Sequence, residues 1–352
     1  WFVRIIGENL ITYILDPFFE VIYRPIILNL SDVIGPGIIH NLLIGDFGPN
    51  ISFLESLGAL TTGIYVPFAA VLPYIIAFYF TLSLLEDSGY LPRLATLVDN
   101  IFHKLGMHGY GIIPMFLGLG CNVPGALSTR TLETKKQRFI SATLLAICVP
   151  CMAQLAMIFG VLGNQGIYYI GIVFLTLAVL YVVIGLILNR VIKGESPEIF
   201  LEIPAYRRPS LKATFKKTWM RVRWFLKDAV PFLFFGVLAI SGLYAIGVLQ
   251  WISVGVSPIM EGLFGLPGGA SIALVSGFLR KDLAVGMLVS MNLNPLQLVI
   301  AVTILTIYFP CIATFIVLIK ELGIRDMIKS SAIMIGTAIS VGFVLKIILL
   351  GV

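Results

Sequence analysis

Charge is scarce in this chain. Asp, Glu, Lys and Arg make up 12% of its 352 residues, against about 25% in an ordinary soluble domain. Hydrophobic residues reach 59% and the mean hydropathy is +1.01. That scarcity excludes a water-soluble globule. Apolar runs of about 20 residues recur along the length, as helices that cross a bilayer require. No GxxxxGK[ST] motif is present, which excludes a Walker-type nucleotide cradle. The four cysteines, Cys121, Cys148, Cys151 and Cys311, lie in or beside apolar segments, which excludes the cysteine-dense framework of a small secreted domain. No secretory signal opens the chain, and Trp1 stands where an initiator Met would, so a piece of a longer protein is expected. The three histidines, His40, His103 and His108, read as interfacial.

The charge that is present is unevenly placed. The formal net charge is +6, and ten of the 24 Lys and Arg fall between Arg190 and Lys227. Such clustering marks a cytoplasmic loop and not a nucleic-acid surface, so no nucleic-acid partner is expected. Membrane-crossing segments are predicted at 61–85, 139–162, 167–192, 229–249, 295–319 and 327–350. Residues 1–55 form an amphipathic interfacial segment, and 194–228 a basic linker with an amphipathic helix anchored by Trp219 and Trp224. Segments 108–117, 267–279 and 283–291 are apolar but too short to cross.

The first short segment runs into Gly118-Leu119-Gly120-Cys121-Asn122-Val123-Pro124. Glycine and proline break a helix there, and unpaired backbone inside hydrocarbon is tolerated only within protein or beside water. A thiol at such a break suits a soft or borderline metal ion. A shift of 160 positions superimposes Pro150-Cys151 on Pro310-Cys311, Ala153 on Ala313, Gly163 on Gly323, and Cys121 on Lys281. If the basic loops 130–138, 190–228 and 320–329 are all cytoplasmic, the halves 56–193 and 229–352 run in opposite directions. Interrupted helices at matching places of two inverted halves point to a midplane binding site, hence to a transporter and not an enzyme. The fold class expected is therefore all-α: a polytopic helical membrane protein of two inverted repeats, each with a broken or re-entrant segment.

Leu85-Glu86-Asp87-Ser88-Gly89-Tyr90, the Gly118–Pro124 stretch, Thr129-Arg130-Thr131-Leu132-Glu133, Gly277-Phe278-Leu279-Arg280-Lys281-Asp282 and Tyr308-Phe309-Pro310-Cys311-Ile312-Ala313-Thr314 resemble the membrane domain of the ferrous iron transporter family FeoB. The likeness covers roughly residues 55 to 345, in the family's order. It implies that the halves are paired gate repeats in the cytoplasmic membrane, with Fe2+ as transported ion. No cofactor is expected on this chain. GTP is expected only on an N-terminal GTP-binding domain missing here, and a small cytoplasmic accessory protein, a homo-oligomer and membrane lipid are further partners. The sequence departs from the family where Gln154 replaces an Arg, where Asp282 replaces a Glu, and at Cys148.

The candidate metal ligands are Cys121, Cys151 and Cys311 with the neutral oxygens of Asn122 and Gln154. Gating or ion access is assigned to Glu86, Asp87, Arg280, Lys281 and Asp282. Each has a plainer reading. Buried cysteines serve as small hydrophobes, a helix-end acidic pair is often just solvated, and the tip of a short segment can reach water. A transporter of a nucleoside-like or other small organic solute, and a non-transporting membrane scaffold, remain the alternatives.

Overall fold

The computed structural model describes residues 9, 11–35, 37, 40, 43–45, 58, 60–163, 165–194, 206, 208–231, 234, 238, 242, 255, 257–258, 260–279, 281, 284, 288, 291 and 293–351. Among these residues the secondary structure is helical, with no strand. The helices are α1 (11–34), α2 (Leu72–Asp87, reached through helical turns from Thr62), α3 (Tyr90–Lys104), α4 (Ile112–Gly120), α5 (Asn122–Ser128), α6 (Lys135–Cys148), α7 (Met152–Leu162), α8 (Ile167–Val191), α9 (Leu211–Trp224), α10 (Ala270–Leu279), α11 (Pro295–Ile307), α12 (Ile312–Leu322) and α13 (Ile324–Leu350).

Five stretches are long and apolar enough to cross a bilayer: Gly63–Asp87, Lys135–Leu162, Ile167–Val191, Pro295–Leu322 and Ile324–Leu350. They correspond to five of the six expected crossings; the sixth, 229–249, lies almost wholly outside the described residues. The protein is a multi-pass helical membrane protein.

Side-chain chemistry sets the helix ends. Thr134 caps α6 by accepting from Gln137 N–H, and Ser210 caps α9 by accepting from Ala213 N–H. Asn294 and Gln297 form a reciprocal capping box at α11. Gly323 links α12 to α13 at φ 81°, a conformation that disfavours any residue with a Cβ.

The chain divides into two compact units, Trp1–Tyr90 with Ala205–Gln250, and Leu91–Pro204 with Trp251–Val352. In the first unit α1 buries Phe19 and Ile27 against Ile44 and Ala69, while Tyr65 Oη donates to Asp16 Oδ1 at 2.9 Å. The basic helix α9 packs along α2.

In the second unit the pieces recur at a fixed offset. Helices α6 and α11 begin 160 residues apart, and so do α7 and α12, each pair interrupted at a Pro-Cys. Their neighbours recur as well: α6 packs on α8 as α11 packs on α13, α8 on α11 as α13 on α6, α7 on α11 as α12 on α6, and α4 on α6 as α10 on α11. The broken spans form the interior, each 61% buried over its most apolar window, against 22% for α8 and 28% for α13. The outer two expose Leu175, Val179, Phe343 and Ile348, the surface expected against acyl chains.

Candidate functional site

Three helix interruptions build the site, all in the second unit. Helix α4 ends at Gly120, and Cys121 turns extended (φ −152°, ψ 130°) before α5 resumes at Asn122. Two glycines permit the tight α4–α5 hairpin. A Cβ at Gly125 would lie 3.0 Å from Gly118 Cα and from Pro114 O, and a Cβ at Gly118 would meet Leu145 Cδ1 at 2.2 Å. Asn122 is buried, and its Oδ1 has no hydrogen-bond partner.

The other two interruptions follow from proline. Pro150 and Pro310 lack the N–H that would bond the carbonyl four residues back, so Ala146 and Thr306 lose their helical donors. Cys151 and Cys311 follow in extended conformations and start α7 and α12. Gln154 bridges the two breaks: its Oε1 accepts from Cys151 N–H at 2.8 Å, and its Nε2 donates to Thr306 O at 3.1 Å. Lys281, 5% exposed, brings Nζ to 3.4 Å from the same carbonyl. Cys311 Sγ lies 3.2 Å from Thr314 Oγ1.

The breaks lie near one another, since α5 packs on α12 and α7 on α11. Ionised, Cys121 would feel Cys311 and Cys151, and Cys151 would feel Lys281 and Cys311. Among the described residues, however, no three His, Cys, Asp or Glu side chains form a group that could hold a metal ion as placed. The arrangement is three sulfurs, an orphan amide oxygen and a proline-released carbonyl around one set of breaks, with Gln154 already committed to two backbone partners. Cys148 lies elsewhere, buried on α6 near Tyr181 of α8. Sequence reasoning missed Thr306 and Thr314; counting four residues back from Pro310 finds the first.

Glu86 and Asp87 end α2 in the first unit, where carboxylates oppose the helix dipole. Basic residues of α9 compensate them. Asp87 pairs with Lys217, and Glu86 Oε2 accepts from Arg221 Nη2 at 2.8 Å. Thr214 Oγ1 donates to Asp87 at 3.3 Å, and the Arg221 guanidinium sits 5.9 Å over the Tyr79 ring. The acids are thus partnered rather than bare. Arg280 and Asp282 lie outside the described residues.

His108 departs from the interfacial expectation: it is 3% exposed, and neither ring nitrogen makes a well-formed hydrogen bond. Burial pushes its imidazole below the ordinary 6.5, against the opposite pull of Glu133, Asp99 and the adjacent Gln137 side chain. Gln137, fully buried beside it, likewise has an unpartnered amide, as does the Ser141 hydroxyl one turn on.

Comparison with known proteins bears on this geometry. The Gate family, described as nucleoside recognition, matches residues 68–165 and 226–325. The family described as ferrous iron transport protein B C terminus matches residues 168–221, between those blocks. A protein named Fe(2+) transporter FeoB from Staphylococcus aureus (strain COL) is 30% identical over 305 residues, 77% of this chain and 45% of its own length. The chain belongs to the FeoB family. The FeoB of Methanocaldococcus jannaschii is 33% identical over 315 residues, 77% of this chain and 46% of that protein. The FeoB of Legionella pneumophila (strain Philadelphia 1) is 32% identical over 247 residues, 62% of this chain and 32% of that protein. The chain therefore spans about half the length, or less, of these FeoB relatives. No solved structure matches it. Each Gate-matching block of this FeoB-family chain contains a span broken at Pro-Cys, and the first also holds the short helix broken at Cys121.

Proposed function

We propose that the chain forms the membrane path by which Fe2+ enters the cytoplasm, with the ion passing the three helix breaks. What supports this reading is that Cys121, Cys151 and Cys311 each stand at an interruption of a helix, with α5 packed on α12 and α7 on α11. Fe2+ accepts thiolate, amide and carbonyl donors together. The Cys121, Cys151 and Cys311 sulfurs, Asn122 Oδ1 and the Thr306 carbonyl offer such a set, while Gln154 fixes the spacing of two breaks. The lack of a closed cage suits a conducting site, which must release its ion. The names of the FeoB relatives support ferrous iron as the cargo.

The recurring elements and their reciprocal neighbours support a two-fold relation between halves, and the basic loops favour an inverted one. Gating falls to a GTP-binding domain of the whole protein, acting through cytoplasmic elements such as α9. A small accessory protein, self-association and anionic lipid are the other partners this reading allows.

The test is Fe2+ uptake by the intact protein in proteoliposomes. Cys121→Ser and Cys151→Ser are each expected to lower uptake by about tenfold or more, and wild-type uptake falls with acid because protons compete with the ion for each sulfur. Unchanged uptake in both variants removes the sulfurs from the mechanism. The Gate description supports one second reading, a nucleoside-like solute. Nucleoside uptake in the same vesicles, unaffected by loss of the thiols, would favour it.

A further inference from the structure

The internal repeat puts two unlike residues at one position. Cys121 interrupts the short helix of the first copy, and 160 residues later its counterpart is Lys281. A thiol is answered by an amine. The amine is not at the surface: Lys281 is 5% exposed and its Nζ lies 3.4 Å from Thr306 O. That oxygen is available because Pro310 has no N–H to give it. Gln154 ties the Cys151 N–H to the same carbonyl and Cys311 follows five residues on, so the ammonium sits at both Pro-Cys breaks, where ionised sulfurs would attract it. Among the described residues no carboxylate pairs with it.

We propose that Lys281 is a tethered occupant of the ion site, a built-in monovalent cation that holds the Thr306 carbonyl and faces the Cys151 and Cys311 sulfurs until a divalent ion displaces it. The inference rests on the breaks being the ion path. A lysine head is a compact point charge on a flexible four-carbon stem, so it can occupy such a position and leave it. An ammonium and a divalent ion repel strongly at this range, so the arrival of one expels the other. The device also discriminates. A free monovalent ion that replaces the ammonium exchanges one charge for one and gains little, whereas a divalent ion gains a second charge's attraction to the same sulfurs and carbonyl. The resting site is filled, and small monovalent ions find it taken.

Anaerobic titration of the intact protein with Co2+ tests this, read by the thiolate-to-Co2+ absorption band. Removing the charge in Lys281→Met or Lys281→Ala is expected to tighten Co2+ binding by about tenfold or more. Methylammonium added to Lys281→Ala is expected to compete with Co2+ and return the affinity toward wild type, which a merely structural lysine would not produce. Lys281→Gln serves if the apolar variants do not fold. A wild-type band abolished by Cys151→Ser, with affinity unmoved in the lysine variants and no methylammonium competition, overturns the tether and leaves the ion path standing. No Co2+ band in any form of the protein overturns both.

Discussion

Pro310 removes a backbone donor, yet the Thr306 oxygen it releases receives Gln154 Nε2 at 3.1 Å and Lys281 Nζ at 3.4 Å. The neutral donor also satisfies Cys151 N–H through Oε1, so one side chain fastens both Pro-Cys breaks. Gln154→Leu strands the part-buried Cys151 N–H and takes a donor from the Thr306 carbonyl, and thermal unfolding in detergent is expected to register a loss of about 1–3 kcal/mol. Gly125→Ala drives a Cβ to 3.0 Å from backbone atoms that cannot swing aside; overpacking of this kind costs about 1–3 kcal/mol, visible in the same unfolding experiment. His108 supplies a pH dependence. Its folded imidazole lies below its ordinary value of 6.5, so its share of stability is complete above that pH. That share declines as acid protonates the unfolded chain first. The melting temperature should therefore fall below about pH 6.5, and His108→Gln should flatten that limb. A slope unchanged in His108→Gln would assign the acid sensitivity to other groups. Cys121, Cys151, Cys311 and Lys281 were legible in the sequence because glycine and proline mark breaks locally. Counting back from Pro310 reaches Thr306, but its donors Gln154 and Lys281 lie 152 and 25 residues away, and the burial of His108 beside Gln137 of α6 is equally non-local.

Helix α9 illustrates the next scale up. Its basic residues and tryptophans mark an amphipathic cytoplasmic helix in the sequence, and Glu86-Asp87 marks the end of α2. That one neutralises the other was invisible, since the partners lie 130 and 135 residues apart. Part of each pair remains exposed, with side chains 14–39% accessible, so each contributes about 1 kcal/mol or less. Specific docking is the clearer readout. Lys217→Glu should accelerate hydrogen exchange in α9, and adding Asp87→Lys should restore protection; a double variant exchanging as fast as the single would show that hydrophobic contacts alone hold the helix. The recurrence of α6–α7 in α11–α12 was legible for the opposite reason. Proline, cysteine and glycine fall at the same offsets, and the helix bounds obey them.

Over the whole molecule, composition alone identified a multi-pass helical protein, because the bilayer admits few other solutions. Orientation depends on the basic loops. Single cysteines introduced at Gln165, Lys193 and Arg325 test it with a membrane-impermeant maleimide on right-side-out vesicles, the parent protein serving as background. Gln165→Cys is expected to react, and Lys193→Cys and Arg325→Cys to remain protected until the vesicles are opened. Labelling of all three from one side would refute opposite orientation of the halves.

One contact near the ends of two helices has a mechanical consequence. Arg130, just beyond α5, grips Glu321 of α12 through two donors, Nε at 2.6 Å from Oε2 and Nη2 on Oε1. A two-pronged grip resists twisting as well as stretching. Helix α12 spans 11 residues, a rod of about 16 Å, with Glu321 near one end and Cys311 at the other. Torque applied to the short loop after α5 therefore arrives at the Cys311 break as the tilt of a stiff lever, with α12 itself as the arm that delivers it.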